Sequence, residues 1–262
     1  MAEFSSHTPG TFSWAELATT DQPAAIAFYR GLFGWDVTEQ PIGPDETYSM
    51  FLLRDKEVAA AYTMRPEERR TGIPPHWNLY VTVRSANEAV QRAEKLGARV
   101  FAPPFDVMEA GRMAVLQDPT GAVFQVWEPK AHIGARVLNE VGALCWSELT
   151  TRDTDAAESF YTALFGWTST RSHDAGMEYT EFGTEGEMSA GMMPMPAQMP
   201  PGVPSYWMPY FQVEDCDASV ARARDLGAEV TVPPREIPNT GRFAMLTDPQ
   251  GAVFAVFTLT RR

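Results

Sequence analysis

The sequence FSWAELATTDQPAAIAFYRGLFGW at residues 12–35 returns without a gap as LCWSELTTRDTDAAESFYTALFGW at residues 144–167. A second block, residues 74–127, matches residues 204–257 with about 24 of about 54 positions identical. Agreement of this extent over so long a period indicates a duplicated structural unit. The chain of 262 residues is therefore predicted to contain two copies of one domain.

The boundaries of the copies follow from the limits of the repeat. We expect the first domain to cover residues 1–128, a linker to cover residues 129–142 and the second domain to cover residues 143–262. Each domain is long enough for a hydrophobic core of its own. The linker is short and not of low complexity, which favours domains that pack together. We expect its His132 to lie between the two copies.

The composition narrows the possible partners. The net charge of −13 opposes binding to nucleic acid and to anionic membranes, and no run of basic residues counters it. The N-terminal segment lacks the pattern of a signal peptide, and no apolar run is long enough to span a membrane. We expect a cytoplasmic monomer or weak homodimer, although export without a cleaved signal is compatible with this sequence. Cys145 and Cys216 are interpreted as free thiols.

Each copy shows the same order of elements. An alternating strand, FSWAEL in the first copy, precedes a helix that we expect to be capped by Asp21 or Asp153 and ended by Gly34 or Gly166. Further strands follow, and the same order then begins again at residue 77. The prediction is two βαβββ units per domain and four in the chain, an α+β fold. The helix–sheet core is expected to contain six aromatic residues: Trp77, Trp207, Phe124, Phe254, Phe33 and Phe165.

The helix ends FYRGLFGW and FYTALFGW, with the turns DPTGAVFQVW and DPQGAVFAVF, resemble the vicinal oxygen chelate (VOC) superfamily of glyoxalases, bleomycin resistance proteins and dioxygenases. Within the superfamily the chain resembles a two-domain, actinobacterial-type subgroup of glyoxalase-like proteins that includes a culture-filtrate antigen. The resemblance implies that the βαβββ units pair into a cup-shaped mixed sheet with the helices outside. It also implies a small-molecule site inside each cup.

The resemblance further implies where a divalent metal would be held. The first-strand ligand position falls on Trp14 and Trp146, and the fourth-strand position near Ala60 and Ala190. The fifth-strand position falls on Asn78 and Met208, and the eighth-strand position on Gln125 and Ala255. Since indole, thioether and methyl groups are not ligands for a hard divalent ion, we expect no cofactor. The alternative is a divalent metal held at positions that the resemblance does not identify.

Glu16 and Glu148 are the best candidates for a binding or catalytic group. Strand alternation places Glu16 on the same face as Phe12 and Trp14, and the second copy repeats the pattern with Leu144, Trp146 and Glu148. A carboxylate on an aromatic concave face is costly unless it is paired or solvated. One interpretation is therefore a cation or hydroxyl site with the glutamate as a possible base. The alternative is a structural ion pair with Arg112 and Arg242, which also recur.

The fifth strand of each copy adds aromatic and amide side chains to the same face. We expect Asn78 and Tyr80 in the first copy, and Met208 and Tyr210 in the second, to face the cup. The predicted ligand-binding residues are Trp14, Glu16, Asn78, Tyr80, Arg112, Gln125, Trp146, Glu148, Met208, Tyr210 and Arg242.

Two functions are compatible with these residues. The first is metal-independent binding of a small aromatic or cationic organic molecule, and the second is a glyoxalase-like lyase, isomerase or dioxygenase. No catalytic residue is assigned beyond the candidates Glu16 and Glu148. A methionine-rich segment, residues 188–204, is interpreted as a mobile loop over the second cup, with an apolar lid and a copper site as alternatives.

Overall fold

A computed structural model describes residues 3–44, 46–70, 72–174, 177–184 and 187–260. The first domain consists of β1 (Phe12–Thr19), α1 (Gln22–Phe33), β2 (Asp36–Pro41), β3 (Thr47–Leu53), β4 (Lys56–Thr63), α2 (Pro66–Arg70), β5 (His76–Thr82), α3 (Ala86–Lys95), β6 (Arg99–Val107), β7 (Gly111–Gln117) and β8 (Val123–Pro129). The second consists of β9 (Leu144–Thr151), α4 (Thr154–Phe165), β10 (Thr168–Asp174), β11 (Met177–Thr184), β12 (Glu187–Pro194), β13 (Tyr206–Gln212), α5 (Cys216–Asp225), β14 (Glu229–Ile237), β15 (Gly241–Thr247) and β16 (Val253–Leu259).

Each domain is built on one mixed eight-stranded sheet. The strand order is β2-β3-β4-β1-β5-β8-β7-β6 in the first domain and β10-β11-β12-β9-β13-β16-β15-β14 in the second. The two βαβββ units of a domain meet where their first strands pair antiparallel, β1 with β5 and β9 with β13. The predicted fold of four βαβββ units in two α+β domains is confirmed.

The predicted helix caps form as the sequence indicates. Asp21 accepts a hydrogen bond from the backbone N–H of Ala24, and Asp153 does the same for Ala156. Gly34 ends α1 with φ of 71°, a left-handed conformation that a glycine adopts without a Cβ penalty. These local signals determine where each first helix begins and ends.

The two domains share one continuous core on the helix side of both sheets. Four of the six predicted core aromatic residues are buried in it, and the other two, Phe33 and Phe165, are partly buried and pack against it. Reciprocal hydrogen bonds cross the boundary. The Tyr29 hydroxyl donates to Asp248 at 3.0 Å, and the Tyr161 hydroxyl donates to Asp118 at 2.8 Å. Each domain makes the same contact with the other, as in a two-fold symmetric arrangement. Because the helix sides of both sheets are buried in the shared core, a binding site would lie on the opposite, concave faces.

We call these concave faces the first cup and the second cup. The first is lined by Trp14, Glu16, Tyr48, Met50, Ala60, Asn78, Tyr80, Gln125 and Trp127, and the second by Cys145, Trp146, Glu148, Tyr179, Tyr206, Met208, Tyr210, Ala255 and Phe257.

Two first-strand expectations are wrong. A β-bulge between Phe12 and Trp14 turns Phe12 out of the first cup and into the shared core, where its ring lies 4.8 Å from that of Trp207. The same bulge occurs on β9, where Leu144 and Trp146 lie opposite the consecutive residues Phe211 and Tyr210, and Leu144 likewise packs in the shared core. An extra residue in a bulge reverses the alternation of side chains, so strict alternation fails at this point.

Two further expectations are corrected by packing. His132 does not lie between the domains, because the linker folds back over the first cup. There the His132 ring makes an edge-to-face contact with the Trp14 ring at 4.7 Å between centroids. The methionine-rich segment is not one loop, since its first part forms β12 and Met192 is fully buried in the shared core. Only the part after Pro194 connects β12 to β13 as a loop.

Candidate functional site

A buried carboxylate with two tyrosine donors lies at the centre of the first cup. The Tyr48 hydroxyl donates to Glu16 Oε2 at 2.7 Å, and the Tyr80 hydroxyl donates to Oε1 at 2.9 Å. The Trp14 indole N–H in turn donates to the Tyr48 oxygen at 3.3 Å. Three strands supply these groups: β1 carries Trp14 and Glu16, β3 carries Tyr48, and β5 carries Tyr80.

The second cup repeats this cluster. The Tyr179 and Tyr210 hydroxyls donate to Glu148 Oε2 and Oε1 at 2.9 and 2.7 Å, and the Trp146 indole donates to the Tyr179 oxygen at 2.9 Å. Each cup therefore holds the same four-residue cluster, which we call the Glu–Tyr–Tyr–Trp cluster.

Tyr48 and Tyr179 are absent from the residues predicted from the sequence. They lie outside the two blocks that align without a gap, and their offset of 131 differs from that of either block. A gapped alignment of the segment between the blocks would pair YSMF with YTEF and reveal the second tyrosine.

The ion pair considered for each glutamate does not form. Arg112 lies on the opposite face of β7 from Met113, which faces the first cup, and its guanidinium contacts Asp106 at 3.2 Å. Arg242 likewise pairs with Asp217 of α5 at 2.6 Å. Side chains that alternate along a strand point to opposite faces, so neither arginine belongs to a cup. The expectation that Arg112 and Arg242 line the site is wrong.

Burial dominates the electrostatics of both carboxyls. It raises the pKa of Glu16 and of Glu148 above the ordinary value, and the tyrosine hydrogen bonds oppose that rise. Among the described residues no cation contributes to either pKa. Glu148 is 5% exposed, whereas Glu16 keeps a larger solvent-accessible portion. In each cup, therefore, no positive charge of the described residues offsets the cost of burying the carboxylate.

The floors of the two cups differ. In the first, the Gln125 side-chain amide donates to the Asn78 carbonyl oxygen at 2.7 Å, and Gln125 Oε1 is buried without a hydrogen-bond partner among the described residues. In the second, the same positions hold Met208 and Ala255, which are buried at 1% and 0% exposure. The first floor is polar and the second is apolar.

The likeness to known proteins agrees with this architecture. The family model of the glyoxalase/bleomycin resistance protein/dioxygenase superfamily matches residues 11–126 and 138–256. The chain belongs to this superfamily. Its VOC domains are thus tandem copies in a single chain, as predicted.

Full-length relatives of this VOC chain have varied names. "Putative glyoxylase CFP32" of Mycobacterium tuberculosis is 42% identical over 98% of this chain and 97% of its own length. "Anthracycline biosynthesis protein DnrV" of Streptomyces peucetius is 35% identical over 96% of this chain and 94% of its own.

Solved VOC structures share the fold at low sequence identity. The Mn(II)-bound glyoxalase of Novosphingobium aromaticivorans has a TM-score of 0.65 at 12% identity, over 95% of this chain and 82% of its own. The 2,3-dioxygenase LapB of Pseudomonas sp. KL28 has a TM-score of 0.63 at 17% identity, over 96% of this chain and 92% of its own.

No described helix has the length and apolarity needed to cross a membrane.

A divalent ion such as the Mn(II) of the Novosphingobium glyoxalase does not fit the residues at the ligand positions that the resemblance implies. The strand register places Gly191, and not Ala190, opposite Glu148, while Ala60 lies opposite Glu16. With Trp14 and Trp146 on the first strands, the positions offer two amides in the first cup and no donor in the second. The described residues contain no group of three or more His, Cys, Asp or Glu side chains suited to a metal.

Proposed function

We propose that this VOC protein binds a small organic molecule, aromatic or cationic, in a cup and without a catalytic metal. The Glu–Tyr–Tyr–Trp cluster carries this proposal. It places one carboxylate and three aromatic rings on a single concave face in each domain. A few polar groups among apolar and aromatic walls are typical of small-molecule sites.

The charge of the cluster favours a cationic ligand. A carboxylate removed from water is costly unless a cation or several donors compensate it. Here tyrosine hydroxyls, joined at Glu16 by the Asn78 side chain, are the donors among the described residues, and burial raises the pKa of both glutamates. A ligand ammonium group would supply the missing positive charge, and the surrounding rings would add cation–π attraction.

The aromatic walls favour a ligand with a flat ring. Trp14, Tyr80 and Trp127 border the first cup, and Trp146, Tyr210 and Phe257 border the second. Aromatic rings provide large apolar contact areas with preferred stacking geometries. A relative named for anthracycline biosynthesis supports an aromatic ligand class.

A second candidate function is an enzyme of the glyoxalase-like lyase, isomerase or dioxygenase type. The observation that favours it is the raised pKa of Glu16 and Glu148, since a carboxyl with a pKa closer to neutral is a better general base. In this alternative the glutamate removes a proton from the bound molecule, while the two tyrosine hydroxyls position the carboxylate oxygens of the glutamate.

The test combines metal analysis of the purified protein with a thermal-shift screen of aromatic amines and their neutral analogues. We expect substoichiometric metal and a higher Tm with the amines, and the double variant Glu16→Gln/Glu148→Gln should lose that increase. Stoichiometric Mn, Fe, Ni or Zn bound by side chains of a cup would support the enzyme instead. Absence of any Tm increase would contradict binding of this ligand class.

A further inference from the structure

The rims of the two cups differ in exposure. Trp14 and Trp127, which both line the first cup, are only 4% and 6% exposed. Their counterparts in the repeat, Trp146 and Phe257, both keep partly exposed rings. The same pair of positions is therefore covered in the first cup and accessible in the second.

The linker provides the cover. The His132 ring lies 4.7 Å from the Trp14 ring and 6.0 Å from the Trp127 ring, at interplanar angles of 82° and 80°. Edge-to-face contact of this kind is a preferred arrangement of two aromatic rings. The Trp127 indole also donates to the His132 backbone oxygen at 2.9 Å. His132 thus occupies the space that an aromatic guest would otherwise take.

Backbone hydrogen bonds hold this cover in place. The N–H of Ala135 donates to the Ser13 oxygen at 2.7 Å, and the N–H of Arg136 donates to the Glu57 oxygen at 2.7 Å. The φ of Gly134 is +102°, and a Cβ there would lie 2.7 Å from the Ser13 oxygen. We call residues 130–138 the strap. Its close fit to β1 and β4 makes it a structural part of the first domain.

We propose that the second cup alone takes the ligand, that the ligand is an arylalkylammonium ion, and that His132 occupies in the first cup the place that the ligand's ring takes between Trp146 and Phe257. This inference rests on the proposed function, and assigns it to one of the two cups.

The second cup offers both groups that such an ion requires. Hydrogen bonds of 2.9 Å link the Trp146 indole to the Tyr179 oxygen and the Tyr179 hydroxyl to Glu148, so the ring wall and the carboxylate are adjacent. Met208 and Ala255 give an apolar floor. An aryl ring bound at the Trp146 rim places a short alkylammonium within reach of this carboxylate, where the opposite charges attract.

Two observations in the first cup point in the opposite direction. Glu16 is more exposed to solvent than Glu148, which is 5% exposed. Gln125 Oε1 is a buried acceptor without a partner in the described part of the chain, and such an acceptor requires a donor. A water molecule would satisfy it, whereas an aryl ring would have to displace His132. The test therefore has to observe the two cups separately.

The experiment titrates benzylamine into protein labelled with ¹⁵N at the indoles, and follows the seven tryptophan N–H resonances. Trp14→Phe and Trp146→Phe assign the two reporters. Benzyl alcohol is the neutral control ligand, and Glu16→Gln and Glu148→Gln are matched variants. We expect the Trp146 resonance to titrate and that of Trp14 to stay fixed. Glu148→Gln should weaken binding about tenfold or more, and Glu16→Gln should leave it unchanged.

A strap variant completes the test. In His132→Ala the Trp14 resonance should begin to titrate, because the ring that fills the first cup is gone. Equal titration of Trp14 and Trp146 in the native protein, or weakening by Glu16→Gln, would overturn the inference while leaving the proposed function intact. If neither resonance shifts with benzylamine, both fail.

Discussion

The first cup and the second cup share a glutamate, two tyrosines and a tryptophan in the same hydrogen-bonding order, yet they differ in floor and rim. The first has an amide pair beneath the cluster and a strap above it. The second has Met208 and Ala255 beneath, and a partly exposed Trp146 at its rim. Duplication preserved the polar centre, while the surroundings that determine access diverged. A shared motif is therefore insufficient to conclude that both copies bind the same molecule.

The largest expected effect concerns the acid sensitivity of the strap. Burial lowers the pKa of His132 from 6.5 to about 4, so this histidine is neutral at pH 7 and its 3.7 Å approach to Glu57 is not an ion pair. The unfolded chain takes up the proton at a higher pH than the folded protein. Stability is therefore complete above pH 6.5 and falls as the pH decreases towards 4.

From this shift we expect His132→Phe to remove roughly 3 kcal/mol of the loss in unfolding free energy between pH 7 and pH 4. Urea denaturation at a series of pH values measures it. His76→Phe is the control, since the His76 imidazole makes a solvent-exposed hydrogen bond with the Pro74 oxygen. Identical pH slopes for the wild type and His132→Phe would show that the strap histidine is not buried.

The next effect compares the tyrosine donors of the two cups. Tyr210→Phe removes one of the two hydroxyl donors from Glu148, and Tyr80→Phe does the same to Glu16. A hydrogen bond to a buried charged group contributes about 1.5–3 kcal/mol. Because Glu16 keeps more contact with solvent, we expect the loss in unfolding free energy at pH 7 to be smaller for Tyr80→Phe. A larger loss in the first cup would contradict the stated difference in burial.

A glycine in the strap gives a smaller effect with a matched control. Gly134 and Gly121 have almost the same φ, +102° and +103°, but only Gly134 would place a Cβ against another residue, at 2.7 Å from the Ser13 oxygen. Each alanine variant should lose about 1–3 kcal/mol from backbone strain, with Gly134→Ala at the upper end. Only Gly134→Ala should loosen the strap and increase acrylamide quenching of tryptophan fluorescence. Equal quenching in both variants would rule out this role of the glycine.

The smallest effect is expected for Glu16→Gln and Glu148→Gln in the absence of ligand. Glutamine keeps the hydrogen-bonding shape of the cluster and removes the buried charge, so unfolding free energies at pH 7 should stay within about 1 kcal/mol of the wild type. Because burial raises both pKa values in the folded state, the carboxyls favour folding most below their ordinary value of 4.5. That advantage is lost as the pH rises through the raised pKa.

The stability of the wild type relative to either glutamine variant should therefore decrease from pH 4 towards neutrality. Thermal unfolding across this range measures the trend. A loss of several kcal/mol at pH 7 would instead indicate that the charge itself is satisfied in the folded protein, as in the ion pair that the structure lacks.

The amino-acid sequence alone was sufficient to predict the duplication, the four βαβββ units, the helix caps and the central place of Glu16 and Glu148. These features depend on local chemistry: repeated text, side-chain period and capping residues. The edge strands β2 and β6 could not be located in the same way, because β2 is almost entirely exposed and β6 contains Pro103 and Pro104. Strands with one free edge need no apolar alternation.

Tertiary structure alone decided the partners of the glutamates and the access to each cup. Tyr48 on β3 donates to Glu16 on β1, although β4 lies between these two strands in the sheet. Arg112 pairs with Asp106 because its side chain points to the face of β7 opposite the first cup. The bulge at Phe12 and the path of the strap depend on contacts between residues far apart in the chain. The periodicity of a single segment carries no record of such contacts, since it reports which face a side chain occupies and not what lies across from it.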